Sequence, residues 1–117
     1  MVIFLVVLLK IIEINKILQE YFQSDIYDLF LNGYCYEYFL ILKRFFPEAK
    51  MVIQKDNNHC AALINGEVFD VSGIRNIKDF VLASKQDEDF VYSFYKKLTT
   101  KDKQNIKKLI KKINNNI

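Results

Sequence analysis

The sequence predicts a single α+β domain over residues 1–117, in which a cysteine-bearing helix packs on a small antiparallel sheet of three strands. The chain has 117 residues, enough for one hydrophobic core and too few for two. Apolar residues make up 51% and charged residues 26%, a balance that excludes a disordered chain. Strand patterns in the middle are flanked by helical patterns on both sides, which is typical of an α+β arrangement.

The first predicted element is a long helix from the N-terminus to about Phe22. Residues 1–9 are almost wholly apolar, and the apolar spacing continues through Ile11 and Leu18. A membrane-spanning helix needs about 20 apolar residues, and Lys10 interrupts this run early, so membrane contact is the less favoured interpretation. The run also lacks the features of a signal peptide. We expect its first turns to pack against another surface, a partner protein or a second copy of the chain.

Two shorter helices are predicted next. The first covers about 24–31 and ends at Asn32-Gly33. The second begins near Cys35 and ends before Pro47, because the residue that precedes a proline avoids the helical conformation.

Three strands follow, and they are predicted at 50–54, 59–64 and 67–71. Asn65-Gly66 between the last two is the strongest two-residue hairpin signal. Ser72-Gly73 is expected to close the sheet. The rest of the chain is predicted to be helical over about 77–83, 87–98 and 100–113.

The positive charge of the chain is concentrated near its C-terminus. Residues 96–117 contain eight lysines and one acid, whereas residues 1–95 are net acidic. Apolar positions at helical spacing run between these lysines. We interpret the segment as a terminal helix docked on the core with a solvated lysine face, so nucleic acid is not an expected partner.

The hairpin sets the geometry around the single histidine of the chain. With Asn65-Gly66 as the turn, Ala61 lies opposite Asp70, so His59 and Asp70 share one face of the sheet as diagonal neighbours, about 7 Å apart. Cys60 points to the other face. The register therefore pairs a carboxylate with the only imidazole, an arrangement in which an acid orients a general base.

Cys35 is the candidate nucleophile. It opens a predicted helix, where the helix dipole and the unpaired N–H groups favour the thiolate. The same N–H groups would stabilise an oxyanion, and Gly33 lets a substrate approach closely. Asn32 and Gln54 are alternative side-chain donors to that oxyanion, and the sequence does not choose between them.

These residues resemble the papain-like superfamily of cysteine hydrolases, particularly its transglutaminase-core and NlpC-like branches. The resemblance covers about 32–73 and rests on NGYC, on NHCAALINGEVFDVSG and on their order. It implies a thiol protease-like hydrolase or acyl-transferase with Cys35 as nucleophile, His59 as general base and Asp70 as orienting residue. It implies no cofactor, and a protein or peptide substrate with an amide, isopeptide or thioester bond.

The same residues are also compatible with interpretations other than a catalytic triad. A buried cysteine and a strand histidine are common structural features, so the alternative is a catalytically silent papain-like module that binds and modulates a partner protein, of the kind encoded by phages and mobile elements. A Cys35–Cys60 disulfide is disfavoured because Cys60 is expected on the opposite face of the sheet. Zinc binding by these cysteines with His59 and Asp70 is disfavoured by the absence of CxxC or HxxxH spacing. Two free thiols indicate a reducing, cytoplasmic compartment.

Overall fold

The computed structural model describes residues 2–21, 30–31, 35–54, 59–96 and 100–116. Four α helices lie within them: α1 (Val2–Tyr21), α2 (Cys35–Phe45), α3 (Lys85–Lys96) and α4 (Thr100–Asn116). The strands are β1 (Lys50–Gln54), β2 (Cys60–Ile64), β3 (Glu67–Asp70), β4 (Gly73–Arg75) and β5 (Phe80–Leu82). The predicted α+β class is confirmed. Most of the helix predicted over 24–31 lies outside the described residues.

Among the described residues the sheet has five antiparallel strands rather than three, in the order β4-β3-β2-β1-β5. The prediction that Ser72-Gly73 closes the sheet is wrong, because Gly73, with φ of +100°, turns the chain back to pair β4 with β3. The helix predicted over 77–83 is also wrong. A 3-10 turn at Ile77–Asp79 leads into β5, which pairs with β1. Both added strands have three residues, too few for alternation to reveal them.

The β2–β3 hairpin has the register that the sequence predicts. Asn65 and Gly66 have φ values of +50° and +85°, and a type I′ turn requires positive values at both positions. Leu63 pairs with Val68 across the hairpin. Alternation along the strands therefore separates the side chains of the sheet into two faces.

The two faces are covered differently. The helix-covered face packs against α1 and α2, and its buried residues are Met51, Ile53, Cys60, Ala62, Ile64, Phe69 and Val71. The opposite face, which we call the concave face, is built from Val52, Ala61, Leu63, Val68 and Phe80. Arg75 on one edge strand lies over the ring of Phe80 on the other, 5.7 Å from its centre, so the sheet curls towards this face.

Helix α1 is buried along one side only. Its core contacts come from Val7, Ile11, Ile14 and Leu18. Its other side exposes Phe4, Leu5, Val6, Leu9 and Ile12. Within the described residues, none of the helices combines the length and the apolar character needed to cross a membrane.

Asn15 on α1 fixes the end of β3 beside the site. Its Nδ2 donates a hydrogen bond to the carbonyl oxygen of Val71 at 2.8 Å, and its Oδ1 accepts one from the Tyr38 hydroxyl at 2.6 Å. Tyr38 belongs to α2, so one amide connects both helices to the residue that follows Asp70. At the other end of the chain, α4 buries Leu109 and Ile113 in the core.

Candidate active site

A buried carboxylate and the imidazole meet on the concave face. Nε2 of His59 lies 2.9 Å from Oδ2 of Asp70, and the two side chains are 5% and 4% exposed. Asp70 also accepts hydrogen bonds from the backbone N–H and the hydroxyl of Ser72, and from the guanidinium of Arg75. Burial opposes ionisation, but the bonds from His59 and Ser72 outweigh it and hold the pKa of Asp70 below its ordinary value. The carboxylate is therefore charged at neutral pH.

His59 lies immediately before β2, at the end of the sheet. Its backbone carbonyl accepts a hydrogen bond from the N–H of Gln54 at 2.7 Å, and its ring meets Phe80 edge-on with the ring centres 6.4 Å apart. Burial lowers the pKa of His59, but hydrogen bonds with the side chains of Asp70 and Cys35 outweigh this and raise it to about 9. The imidazole is therefore protonated at neutral pH.

Cys35 is the first residue of α2, where it is half-buried. The thiol of Cys35 lies beside the side chains of Cys60 and His59. Its interaction with Cys60 is the largest influence on its pKa; together with the interaction with His59 it outweighs burial and lowers the pKa of Cys35 from 9.0 to about 4. The structure thus brings together the three residues that the sequence predicts, as a thiolate, an imidazolium and a carboxylate.

The position of Cys60 corrects one expectation. Cys60 does point away from Asp70, as the register predicts, but α2 packs on the face to which it points. It therefore adjoins Cys35, and the hydrogen bond with Cys35 raises the pKa of Cys60 well above its ordinary value. Alternation indicates which face a side chain takes, but not which helix covers that face. Both cysteines are free in the structure, as expected, but the face that Cys60 takes does not keep it away from Cys35.

Glu37 is a site residue that the sequence analysis missed. It lies in the first turn of α2, its side chain is 2% exposed, and within the described residues its Oε2 has no hydrogen-bond partner. Burial raises its pKa to about 7, and the charge of Cys35 adds to that shift. The available signal was its position four residues before Ile41, on the buried side of the helix.

Arg75 was also missed, because its strand was not predicted. Arg75 pairs with Val68, which places it on the same face as Asp70. A sequence argument that extended the meander past Gly73 would have found it.

The remaining predicted site residues contribute less. Asn32 and Gly33 lie outside the described residues. Gln54 is half-buried at the end of β1 and supports His59 through its backbone, while the oxyanion role of its side chain stays a prediction. In the part of the chain that the structure describes, no group of three or more His, Cys, Asp or Glu side chains is arranged to hold a metal ion.

Comparisons with known proteins identify one family. Residues 13–115 match the family described as Phage YunG-like protein. No curated protein and no solved structure matches the chain. The family match covers most of the sequence, so the chain belongs to the Phage YunG-like family. The match begins after the exposed apolar positions of α1, the last of which is Ile12.

Proposed function

We propose that this member of the Phage YunG-like family is a thiol hydrolase or acyl-transferase that acts on an amide, isopeptide or thioester bond. Cys35 is the nucleophile, His59 the proton donor and acceptor, and Asp70 the orienting group. The observation that carries the proposal is the 2.9 Å contact between His59 and Asp70, beside a Cys35 thiol whose pKa His59 helps to lower. Nucleophilic catalysis needs a nucleophile beside a base that a third group orients. The papain-like order of the sequence motifs supports the same assignment.

The protonation states suit acyl transfer. The Cys35 thiolate attacks the carbonyl carbon directly, because Cys35 is already ionised and the proton needed later is held by His59. The N–H groups at the start of α2 are the available donors to the oxyanion. The His59 imidazolium then gives its proton to the leaving nitrogen or sulfur, and an acyl-cysteine remains. Neutral His59 next takes a proton from water or from an acceptor amine, which attacks the acyl group and releases Cys35.

Asp70 stabilises the imidazolium throughout this cycle without taking its proton. Ser72 and Arg75 hold Asp70 in place, so the carboxylate can orient His59. The working state needs Cys35 ionised and His59 protonated. Acylation should therefore rise above about pH 4 and fall above about pH 9.

Acylation of the intact protein tests the proposal. The protein is incubated with an activated aryl ester or a peptide thioester, and the adduct is located by peptide mass mapping. We expect the acyl group on Cys35, none in Cys35→Ala, and a rate in His59→Ala that is about 10²- to 10⁴-fold lower. Cys60→Ser is the matched control, since it removes the other thiol and keeps a donor beside Cys35. Equal acylation of both cysteines that does not depend on His59 would contradict the proposal.

A second candidate function is partner binding without catalysis, and the exposed apolar side of α1 favours it. Leu5, Leu9 and Ile12 are 55%, 52% and 64% exposed and lie at helical spacing. A partner protein, or a second copy of the chain, would bury this stripe. Sedimentation of the wild type and of a variant with serine at all three positions tests self-association through this stripe. Association of the wild type that the variant loses supports the candidate. Wild type and variant that are both monomeric argue against self-association.

A further inference from the structure

We propose that Cys35 and Cys60 form a dithiol site that a peroxide converts reversibly into an intramolecular disulfide. This modification is separate from acyl transfer, although both use the sulfur of Cys35. Disulfide formation and acylation also leave different products on the protein, so each can be observed without the other.

The fold places the two sulfur atoms against each other. Cys35 begins α2 and Cys60 begins β2, and α2 packs directly on β2. Both cysteines line the same narrow pocket, together with Phe39, Ala62 and Phe69. The interaction between their side chains is the largest influence on the pKa of each. Two thiols that line one narrow pocket are candidates for a disulfide, which needs their Cβ atoms about 3.5–4.5 Å apart.

The two thiols differ in access, which gives them different roles. Cys35 is half-buried, so a small oxidant can reach it, whereas Cys60 is 1% exposed. Cys35 is also the one that is ionised, and the thiolate is the form that reacts with peroxides. The first oxidation therefore takes place at Cys35, and Cys60 acts as the resolving thiol.

Oxidation of the two thiols by hydrogen peroxide takes place in two steps. In the first, the Cys35 thiolate attacks one oxygen of hydrogen peroxide. An S–O bond forms, the O–O bond breaks, and the departing hydroxide takes a proton, which His59 is placed to supply, to become water. In the second, the sulfur of Cys60 attacks the sulfur of Cys35. An S–S bond forms, the S–O bond breaks, and the hydroxide leaves as water with the proton of Cys60.

In total, two thiols are oxidised by two electrons and one peroxide is reduced to two waters. A dithiol reductant reverses the change by thiol–disulfide exchange. The disulfide would also remove the nucleophile, and this consequence alone rests on the proposed function.

Peptide mapping of the whole protein tests the inference, with hydrogen peroxide as the oxidant. Trypsin separates the cysteines into peptides 17–43 and 56–75, because lysine or arginine precedes and ends each one. After oxidation and blocking of free thiols, we expect these peptides joined, with the loss of two hydrogens and of both free thiols. Dithiothreitol should restore two free thiols.

Cys60→Ser is the matched variant, because its hydroxyl still donates to Cys35 but cannot form the disulfide. We expect it to accumulate sulfenic acid on Cys35, trapped by dimedone, and then sulfinic acid. Its folding is checked by circular dichroism, and the cross-link in the wild type needs no variant at all.

Two results would overturn the inference. One is a wild type in which Cys35 reaches sulfinic acid while Cys60 stays a free thiol. The other is a cross-link between chains, detected by mixing isotope-labelled and unlabelled protein. The acylation assay is run without peroxide, so the two proposals fail separately. A protein that acylates Cys35 and never cross-links refutes only the disulfide, and one that cross-links without acylating refutes only the hydrolase.

Discussion

The two faces of the sheet contribute different halves of the candidate site. The helix-covered face brings together Cys35, Cys60 and Glu37 in mainly apolar surroundings. The concave face holds Asp70 in a network of hydrogen bonds with Ser72 and Arg75. On the first face, burial and neighbouring side chains set the protonation of Cys35, Cys60 and Glu37. On the second face, hydrogen bonds from the protein stabilise the negative charge of Asp70. The difference separates the groups that react from the groups that orient.

His59 connects the two halves because it lies at the end of β2 rather than within it. Its ring contacts Asp70 and Phe80 on the concave face, and its pKa is raised by the thiol of Cys35, which comes from the helix-covered face. A buried charge is tolerated only where hydrogen bonds replace its hydration. The concave face supplies the bond with Asp70, and this bond helps to keep the imidazolium protonated beside a thiolate.

The largest expected effect tests which face holds the core together. Ile64 and Leu63 are neighbours in β2 on opposite faces; Ile64 is 1% exposed in the main core, whereas Leu63 is half-buried on the concave face. Ile64→Ala should lower the free energy of unfolding by about 2–5 kcal/mol, and Leu63→Ala by less than about 2 kcal/mol. Urea unfolding of both variants measures the difference. Equal losses would mean that the concave face contributes as much to stability, which breaks the comparison.

The next effect concerns the unsatisfied acid on the helix-covered face. The pKa of Glu37 is about 7 in the folded protein and 4.5 for the ordinary group, so the unfolded chain loses this proton first as the pH rises. The free energy of unfolding should therefore decrease as the pH rises from about 4.5 to about 7. Glu37→Gln removes this titration. The unfolding free energy of the variant, relative to that of the wild type, should therefore rise by about 3 kcal/mol between pH 4.5 and a pH above 7.

Chemical unfolding at a series of pH values measures this gain. Glu48→Gln, at an exposed glutamate, is the matched control and should not diverge from the wild type. If the unfolding free energies of Glu37→Gln and the wild type change in parallel with pH, Glu37 is ionised in the folded protein. The helix-covered face would then also hold a charged carboxylate, as the concave face does.

The two faces also differ in how far the sequence predicts them. The contact of His59 with Asp70 follows from local information, since Asn65-Gly66 fixes the turn and alternation does the rest. The neighbourhood of Cys60 depends on which side of the sheet α2 packs, a tertiary choice that no local pattern encodes. Strand β4 has three residues, so Arg75 was missed along with it. The orienting half was therefore predictable in outline, and the reactive half only in its residue types.

Asp70→Asn tests whether the concave face orients as well as stabilises. The amide loses charge-assisted hydrogen bonds with Arg75 and His59, so we expect a loss of about 1–3 kcal/mol in unfolding free energy. It should also lower the pKa of His59, because the bond with Asp70 helps to raise it. The upper limit of the acylation profile should then move from about pH 9 towards neutral pH.

Ser72→Ala is the matched control for that change. It removes one hydrogen bond to Asp70 and leaves the carboxylate and its contact with His59 in place. It should cost stability without moving the upper limit of the profile. If Asp70→Asn behaves in the same way, Asp70 has a structural role only, and the site is reduced to Cys35 and His59.

The smallest expected effect asks whether the two halves depend on each other. Tyr38 on α2 donates a hydrogen bond to Asn15, which in turn holds the carbonyl of Val71 beside Asp70. Tyr38→Phe keeps the ring and removes the hydroxyl, so we expect a loss of about 1 kcal/mol in unfolding free energy. The bonds that Ser72, Arg75 and His59 make with Asp70 remain. If the concave face holds its own geometry, the alkylation rate of Cys35 by iodoacetamide should keep its wild-type dependence on pH. A shifted profile in Tyr38→Phe would show instead that the helices position Asp70 through Asn15, and that the orienting half of the site is not independent of the helix-covered face.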